Sequence, residues 1–63
     1  MSNESLEALK RKYLDKKVFV FIDDDLHPIA ERGIVTEVDD MGQLHGTWGG
    51  LAAVPGVDRI ELL

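Results

Sequence analysis

The chain has 63 residues, no cysteine, and a formal net charge of −5 from 12 acidic and 7 basic side chains. This length predicts a single domain, residues 1–63, with a small core, because such a chain buries only about 60% of its unfolded surface. The absence of cysteine excludes disulfide bonds and thiolate zinc sites. A hydrophobic content of 44% with 30% charged residues is typical of a folded protein rather than a disordered one.

An amphipathic helix is predicted over residues 3–14. Ser2 or Asn3 can cap its first turn, and acidic residues follow where the helix dipole favours them. Its apolar positions recur at helical spacing and form one stripe: Leu6, Leu9, Tyr13 and Leu14. Twelve residues make a marginal helix in water, so we expect this stripe to pack against the rest of the chain.

Five short strands joined by turns are predicted after the helix. They cover residues 17–22, 34–38, 43–48, 51–54 and 59–62. Gly and Pro signals separate them, and we expect residues 26–33 to form a loop containing Pro28. Strands this short and this closely spaced predict a mainly β fold, a small barrel over residues 17–62 whose closure removes exposed edges.

After Lys17 the first strand is apolar at every position, which predicts burial on both faces. We expect Val18, Val20 and Ile22 to line the core, and Phe19 and Phe21 to meet the helix, with the reverse assignment left open. Either way the two phenylalanine rings are interpreted as core residues rather than as a stacking surface for bases.

The charge is unevenly distributed along the chain. Residues 1–17 carry three acidic and five basic side chains, a net +2, whereas residues 18–63 carry nine acidic side chains against two arginines, a net −7. Phosphate would be repelled by the acidic part, so we expect no direct nucleic-acid binding by the barrel. The basic residues of the first part suit the end of a helix, although contact with phosphate remains an alternative.

Two groups of aspartates are the most visible polar features: Asp23, Asp24 and Asp25, then Asp39 and Asp40. Clustered carboxylates can bind calcium or magnesium, but the spacing of a calcium loop is missing. The two groups lie at opposite ends of a hairpin unless the first loop folds over. We therefore expect solvated turn acids or an acidic recognition surface, and no metal site or cofactor.

The order of turn and aromatic residues resembles a known family. The pattern comprises Pro28-Ile29, Gly33-x-Val35-x-x-Val38-Asp39-Asp40-x-Gly42-Gln43-Leu44-His45-x-x-Trp48, and Val54-Pro55-Gly56-Val57-Asp58-x-Ile60. It resembles the bacterial and phage family called domain of unknown function 4314 over residues 17–62, with the helix outside the match. The resemblance implies an SH3-like five-stranded β-barrel and an origin in bacteria or their mobile elements. It implies no activity and no catalytic residues.

Two positions depart from that pattern. Gly49-Gly50 stands where the family has a longer Asp-Asn-Gly type of turn. Gly46 stands where a branched apolar residue is usual, which predicts either a gap or a close approach of another group to the backbone.

The sequence offers few candidates for catalysis. A chain of this size seldom encloses the pocket of about 300 Å³ that most enzymes need, so we expect no enzymatic activity. His27 and His45 are too few for a metal site without further ligands. No apolar run reaches the roughly 20 residues of a membrane span, and the first residues do not resemble a secretory signal. We expect a cytoplasmic protein without a membrane partner.

These observations predict a non-enzymatic, acidic protein-interaction module that binds a basic surface of a host nucleic-acid-binding protein, as an inhibitor or DNA mimic. SH3-like modules use tryptophan beside carboxylates to hold basic or proline-rich peptides. The partner-binding residues would be Asp23, Asp24, Asp25, Asp39, Asp40 and Trp48. The alternative is an assembly protein that acts as a homo-oligomer, such as a homodimer, by burying residues 18–22 and the helix. A third hypothesis is a divalent-ion-dependent nuclease or accessory based on the aspartates.

Overall fold

The fold is mainly β, as predicted, and the computed structural model describes residues 2–63. A single helix precedes four strands: α1 (Asn3–Tyr13), β1 (Lys17–Ile22), β2 (Ile29–Val38), β3 (Leu44–Gly46) and β4 (Arg59–Leu62). The strands form one antiparallel sheet in the order β3-β2-β1-β4. No helix described in residues 2–63 is long and apolar enough to cross a membrane.

The sheet is open, which corrects the expected five-stranded barrel. Residues 51–54 form no strand and contribute one bridge, in which the backbones of Ala53 and Leu44 exchange hydrogen bonds of 2.8 and 2.9 Å. Gly49 and Gly50 lie in the left-handed region with φ of 76° and 77°, and Pro55 has no N–H to donate. In the stretch between these residues, only Ala53 pairs with another strand.

Strand β2 begins five residues earlier than predicted, because residues 29–33 of the expected loop belong to the strand. Its first part, from Ile29 to Ile34, pairs with β1. Its last part pairs with β3 after a register shift between Val35 and Glu37, a bulge that bends the strand. The charged pair Glu31-Arg32 interrupts the apolar pattern and hides the strand in the sequence.

Helix α1 ends one residue before its predicted end and is held at both ends by hydrogen bonds. The Ser2 side chain accepts the N–H of Ser5 at 3.2 Å, a conventional N-cap. Beyond the last turn, Asp15 has a φ of 62° and donates its N–H to Val35 O at 2.9 Å. Val35 in turn donates to Lys16 O at 3.0 Å. These bonds attach the end of the helix to the middle of β2.

The core lies between the helix and one face of the sheet. Its buried side chains are Tyr13, Val18, Val20, Ile22, Val35, Val38, Leu44 and Ala53. Partly buried side chains pack around them: Leu6, Leu9, Ile29, Trp48 and Ile60. The prediction that the valines of β1 line the core is therefore confirmed, and the helix packs on that same side.

The phenylalanines of β1 lie on the opposite face, which we call the outer face. Phe19 is partly buried and Phe21 is 43% exposed, so the prediction that both faces of β1 are buried is wrong. The prediction that these rings meet the helix is also wrong, since Leu6 and Tyr13 pack against the valine side. The open sheet leaves this face in contact with solvent.

Candidate binding surfaces

The loop between β1 and β2 is held by one of its three aspartates. Asp24 Oδ1 accepts the N–H groups of Leu26 and His27, both at 2.9 Å. These two hydrogen bonds, the one from His27 first, hold the pKa of Asp24 below its usual value of 3.8. Asp23 and Asp25 are exposed, and their carboxylates accept no hydrogen bond within residues 2–63. The carboxylate of Asp24 thus holds the loop backbone, and the carboxylates of Asp23 and Asp25 on either side of it are free.

The turn between β2 and β3 repeats this arrangement. Asp39 Oδ1 accepts the N–H groups of Met41 at 3.0 Å and Gln43 at 2.8 Å, while its Oδ2 lies 2.8 Å from His45 Nε2. The hydrogen bond with His45, followed by that from Gln43, holds the pKa of Asp39 below its usual value of 3.8. Asp40 is exposed, with no such partner in the described chain. Gly42 completes the turn at a φ of 80°, in the left-handed region that glycine adopts readily.

The two acidic loops lie at opposite ends of β2 and do not form one cluster. Ten residues of extended chain, at about 3.3 Å each, separate them along a strand that bends at the bulge. Among residues 2–63, no three His, Cys, Asp or Glu side chains are grouped so that they could hold a metal ion. The acidic residues predicted as partner-binding thus form two separate surfaces.

The side chain of Trp48 makes its contacts within the chain. Its Nε1 donates to Leu51 O at 2.8 Å, and its ring packs against the core. A Cβ atom at Gly46 would lie 2.1 Å from Trp48 Cζ3 and 2.6 Å from Ile34 O. A Cβ atom at Gly33 would lie 3.0 Å from Trp48 Cε3. The glycine at 46 is therefore a close approach and not a gap, and the indole is held over the two strands that carry these glycines.

The outer face combines apolar and cationic side chains. Residues that are paired directly across antiparallel strands share a face, so the register defines its members. They are Lys17, Phe19 and Phe21 on β1, Ala30, Arg32 and Ile34 on β2, and Arg59 and Glu61 on β4. The phenylalanine rings contact each other with centroids 4.8 Å apart and a tilt of 46°, and the Arg59 guanidinium lies 5.7 Å from the Phe21 centroid. Arg59 Nε also donates to Glu61 Oε1 at 2.9 Å.

A shallow cleft adjoins each end of the outer face. One has a volume of about 400 Å³ and is lined by Phe21, Ile22, Asp23, Pro28, Ile29 and Ala30. The other has a volume of about 370 Å³ and is lined by Lys17, Arg32, Gly33, Ile34, Thr47 and Leu63. The surface between them runs along β1 and β2, so the face and its clefts form one continuous candidate site.

Sequence reasoning missed this face because it placed the aromatic rings in the core. The signal that marks it is the alternation of Lys17, Phe19 and Phe21, with Arg32 and Arg59 on the strands that pair with β1. The register that brings the arginines to the phenylalanines depends on where β2 begins. Because the sequence pattern predicts a loop at the start of β2, it does not reveal that the arginines lie beside the phenylalanines.

Comparison with known proteins gives a family but no characterised relative. No curated protein and no solved structure matches the chain. A family model described as "Domain of unknown function (DUF4314)" matches residues 2–63. The match includes helix α1, which the sequence resemblance had left outside. Because this match spans nearly the whole chain, the protein belongs to the DUF4314 family.

Proposed function

We propose that the chain is a non-enzymatic interaction module that binds a cytoplasmic protein with a basic surface through its two acidic loops. The observation that supports the proposal is that the aspartates of the two loops differ in their hydrogen bonds. Asp24 and Asp39 hold the loop backbones, whereas Asp23, Asp25 and Asp40 keep their carboxylates free at the surface. A partner would therefore meet negative charges on backbones that are already ordered.

Electrostatics favour association with a basic partner. Residues 18–63 carry a net charge of −7, so a cationic protein is attracted before contact and guided to the loops. Ordered loops lose little conformational freedom on binding, which lowers the cost of association. Trp48 is left out of the proposed contact surface because its ring and its indole N–H are engaged within the chain.

The finer form of the proposal is an inhibitor that mimics nucleic acid. Carboxylates at the acidic loops would occupy the phosphate-binding site of a host nucleic-acid-binding protein. Such a partner would release DNA or RNA when the chain binds, and the two ligands would compete for one site. Competition is therefore the readout that separates a mimic from an ordinary acidic partner.

The test compares a loop variant with a charge-matched control. Asp23→Asn, Asp25→Asn and Asp40→Asn together remove the three free carboxylates. Glu4→Gln, Glu7→Gln and Glu31→Gln remove three exposed carboxylates elsewhere. A basic protein that is recovered by affinity from a bacterial lysate should bind the purified wild type and the control, but not the loop variant. Equal binding by both variants, or recovery only of acidic proteins, would contradict the proposal.

Self-association is the second candidate function, and the outer face is the observation that favours it. Phe21, Ile34 and Leu63 are 43%, 41% and 63% exposed on or beside this face, and contiguous exposed apolar side chains mark interaction sites. The apolar stripe of the helix packs on the core and is less available than expected for this role. Light scattering over a range of protein concentrations tests it, since a constant monomer mass would eliminate assembly.

A further inference from the structure

We propose that the outer face binds single-stranded nucleic acid, with bases stacked on Phe19 and Phe21 and phosphates beside Lys17, Arg32 and Arg59. The acidic loops take no part in this site, so the inference goes beyond the proposed function and stands or falls separately. It also reverses the expectation that the body of the chain avoids nucleic acid. That expectation rests on the net charge of −7 of residues 18–63, whereas the outer face is locally positive.

The aromatic side chains have the arrangement that base stacking needs. Phe19 and Phe21 alternate on β1, an interior strand of the sheet, and Phe21 is 43% exposed. Exposed rings on sheet strands bind bases by stacking, and this contact tolerates any sequence because every base has a π face. The Arg59 guanidinium beside the Phe21 ring extends the platform, since guanidinium planes also stack on bases.

The charge of the outer face is opposite to that of the whole chain. It carries three cations, Lys17, Arg32 and Arg59, against one acid, Glu61, and so has a net charge of +2 in a protein of net −5. Arg32 lies directly across from Phe19, and Arg59 lies directly across from Phe21. Each ring therefore lies beside a cation on a neighbouring strand, and Phe19 also lies across from Glu61, whose carboxylate pairs with Arg59. Rings beside cations match a ligand that alternates flat bases with phosphates.

The dimensions fit a short stretch of nucleotides. Lys17 and Phe21 are four residues apart on an extended strand, a distance of about 13 Å. Sheets that bind RNA through aromatic side chains stack two or three bases over a comparable span. The clefts at the ends of the face, of about 400 and 370 Å³, give the strand room to enter and leave. In a duplex the bases are already stacked and paired, so we expect a preference for single strands.

A second copy of the chain fits this face less well. Two outer faces related by a two-fold axis would bring two surfaces of net charge +2 against each other. Like charges juxtaposed across an interface disfavour association. A purely apolar peptide would bury the phenylalanines but leave Lys17 and Arg32 without partners, whereas Arg59 already pairs with Glu61. A polyanion with aromatic bases satisfies both features at once.

The experiment measures fluorescence anisotropy of a short labelled oligothymidylate, at low salt, with a duplex of equal length as the comparison. We expect saturable binding that is weaker for the duplex. Three phosphate contacts predict that log K falls with log salt concentration with a slope of about −2. Amide chemical-shift changes in a titration should concentrate on β1, β2 and β4.

Four variants identify the contacts. Phe21→Leu keeps an apolar side chain but removes the ring, and should weaken binding about 5- to 150-fold, whereas Phe21→Trp should retain it. Arg32→Glu should weaken binding further at low salt, while Arg11→Glu changes the same charge on the helix and should have a much smaller effect. Circular dichroism verifies that each variant is folded.

The outcomes separate this site from the proposed function. The acidic-loop variant should bind the oligonucleotide at least as tightly as the wild type, because it removes negative charge elsewhere. Absence of binding, an unchanged affinity of Phe21→Leu, or shifts confined to α1 would overturn the proposal. So would concentration-dependent self-association that disappears in Phe21→Leu without any oligonucleotide binding, since the face would then belong to a second copy.

Discussion

The two faces of β1 are both apolar, yet the molecule uses them differently. Val18 and Val20 are fully buried, whereas Phe21, the larger side chain, is 43% exposed. The difference follows from what covers each face: α1 and the Trp48 ring pack on the valine side, and nothing in residues 2–63 packs over the other. Hydrophobicity alone does not therefore identify a core residue.

The same contrast occurs between neighbouring acids. Asp39 is engaged by two backbone N–H groups and by His45, whereas Asp40, the next residue, is free. Both residues are aspartates, so their positions in the turn decide which carboxylate holds the turn by hydrogen bonds. Matched substitutions on the two faces of β1, and at the two neighbouring aspartates, test these contrasts directly.

The largest expected effect comes from a charge placed on each face of β1. Val20→Asp buries an uncompensated carboxylate, at a cost of about 3–5 kcal/mol. A single core of this size supplies about the same total stability, so the variant should be unfolded at room temperature. Phe21→Asp places the same charge in solvent and should lower the free energy of unfolding by about 1 kcal/mol or less. Circular dichroism and urea unfolding compare the two variants.

A folded Val20→Asp, or an unfolded Phe21→Asp, would reverse the assignment of the faces. Phe21→Asp should also lose oligonucleotide binding while it remains folded. Val20→Leu serves as a control for altered packing without charge, and should be destabilised but folded.

The second largest loss of stability is expected at Gly46, on the face of the sheet that Trp48 covers. Gly46→Ala forces a methyl group against the Trp48 ring and the Ile34 carbonyl, where an added Cβ would lie 2.1 and 2.6 Å away. Overpacking of this kind costs about 1–3 kcal/mol. Thermal unfolding measures the loss, and a double variant with Trp48→Leu should recover part of it. If Gly46→Ala alone matched the wild type, the indole would not be held over the strand as described.

Much of the fold could be predicted from local signals in the sequence. The helix follows from the apolar stripe and the serine cap, and the turn at Pro55-Gly56 follows from residues that favour its geometry, with Gly56 at a φ of 86°. The turn at Gly42, with a φ of 80°, follows from the same kind of local signal. These elements depend on nearby residues, so a single sequence is enough to find them.

The remainder depends on contacts between distant residues. Whether 51–54 forms a fifth strand is decided by pairing with β3, and only Ala53 pairs. Whether Phe21 is buried is decided by what covers the outer face, which no local pattern of β1 encodes. The division of the aspartates likewise requires knowledge of which N–H groups point toward each carboxylate. The acidic loops could be predicted as candidates, but the aromatic and cationic face could not.

The third effect is a pH dependence that separates Asp39 from Asp40. Because hydrogen bonds lower the pKa of Asp39 in the folded state, its ionised form stabilises the fold above the usual pKa of 3.8. This contribution is lost as the pH falls through the lowered pKa. Asp39→Asn should therefore be less stable than the wild type at neutral pH, and the difference should shrink in acid.

Asp40→Asn is the matched control, because it removes the adjacent carboxylate, which accepts no hydrogen bond in the described chain. Its unfolding midpoint should follow the wild type across the pH range. A constant difference between Asp39→Asn and the wild type from neutral to acidic pH would mean that the carboxylate charge does not hold this turn.

The smallest effect lies where the helix is attached to the covered side of the sheet. Asp15 follows the helix with a φ of 62°, a conformation that costs most side chains about 1–2 kcal/mol and glycine almost nothing. Asp15→Gly relieves this strain but adds freedom to the unfolded chain, so we expect a gain of about 0.5 kcal/mol. Asp15→Val, whose branched side chain fits this region poorly, should lose about 1 kcal/mol or more. Urea unfolding distinguishes the two variants. Both variants keep the backbone N–H of residue 15, which donates to Val35 O. A change in stability therefore reports backbone strain. The attachment by which α1 covers one face of β1, and leaves the other open, is the same in both variants.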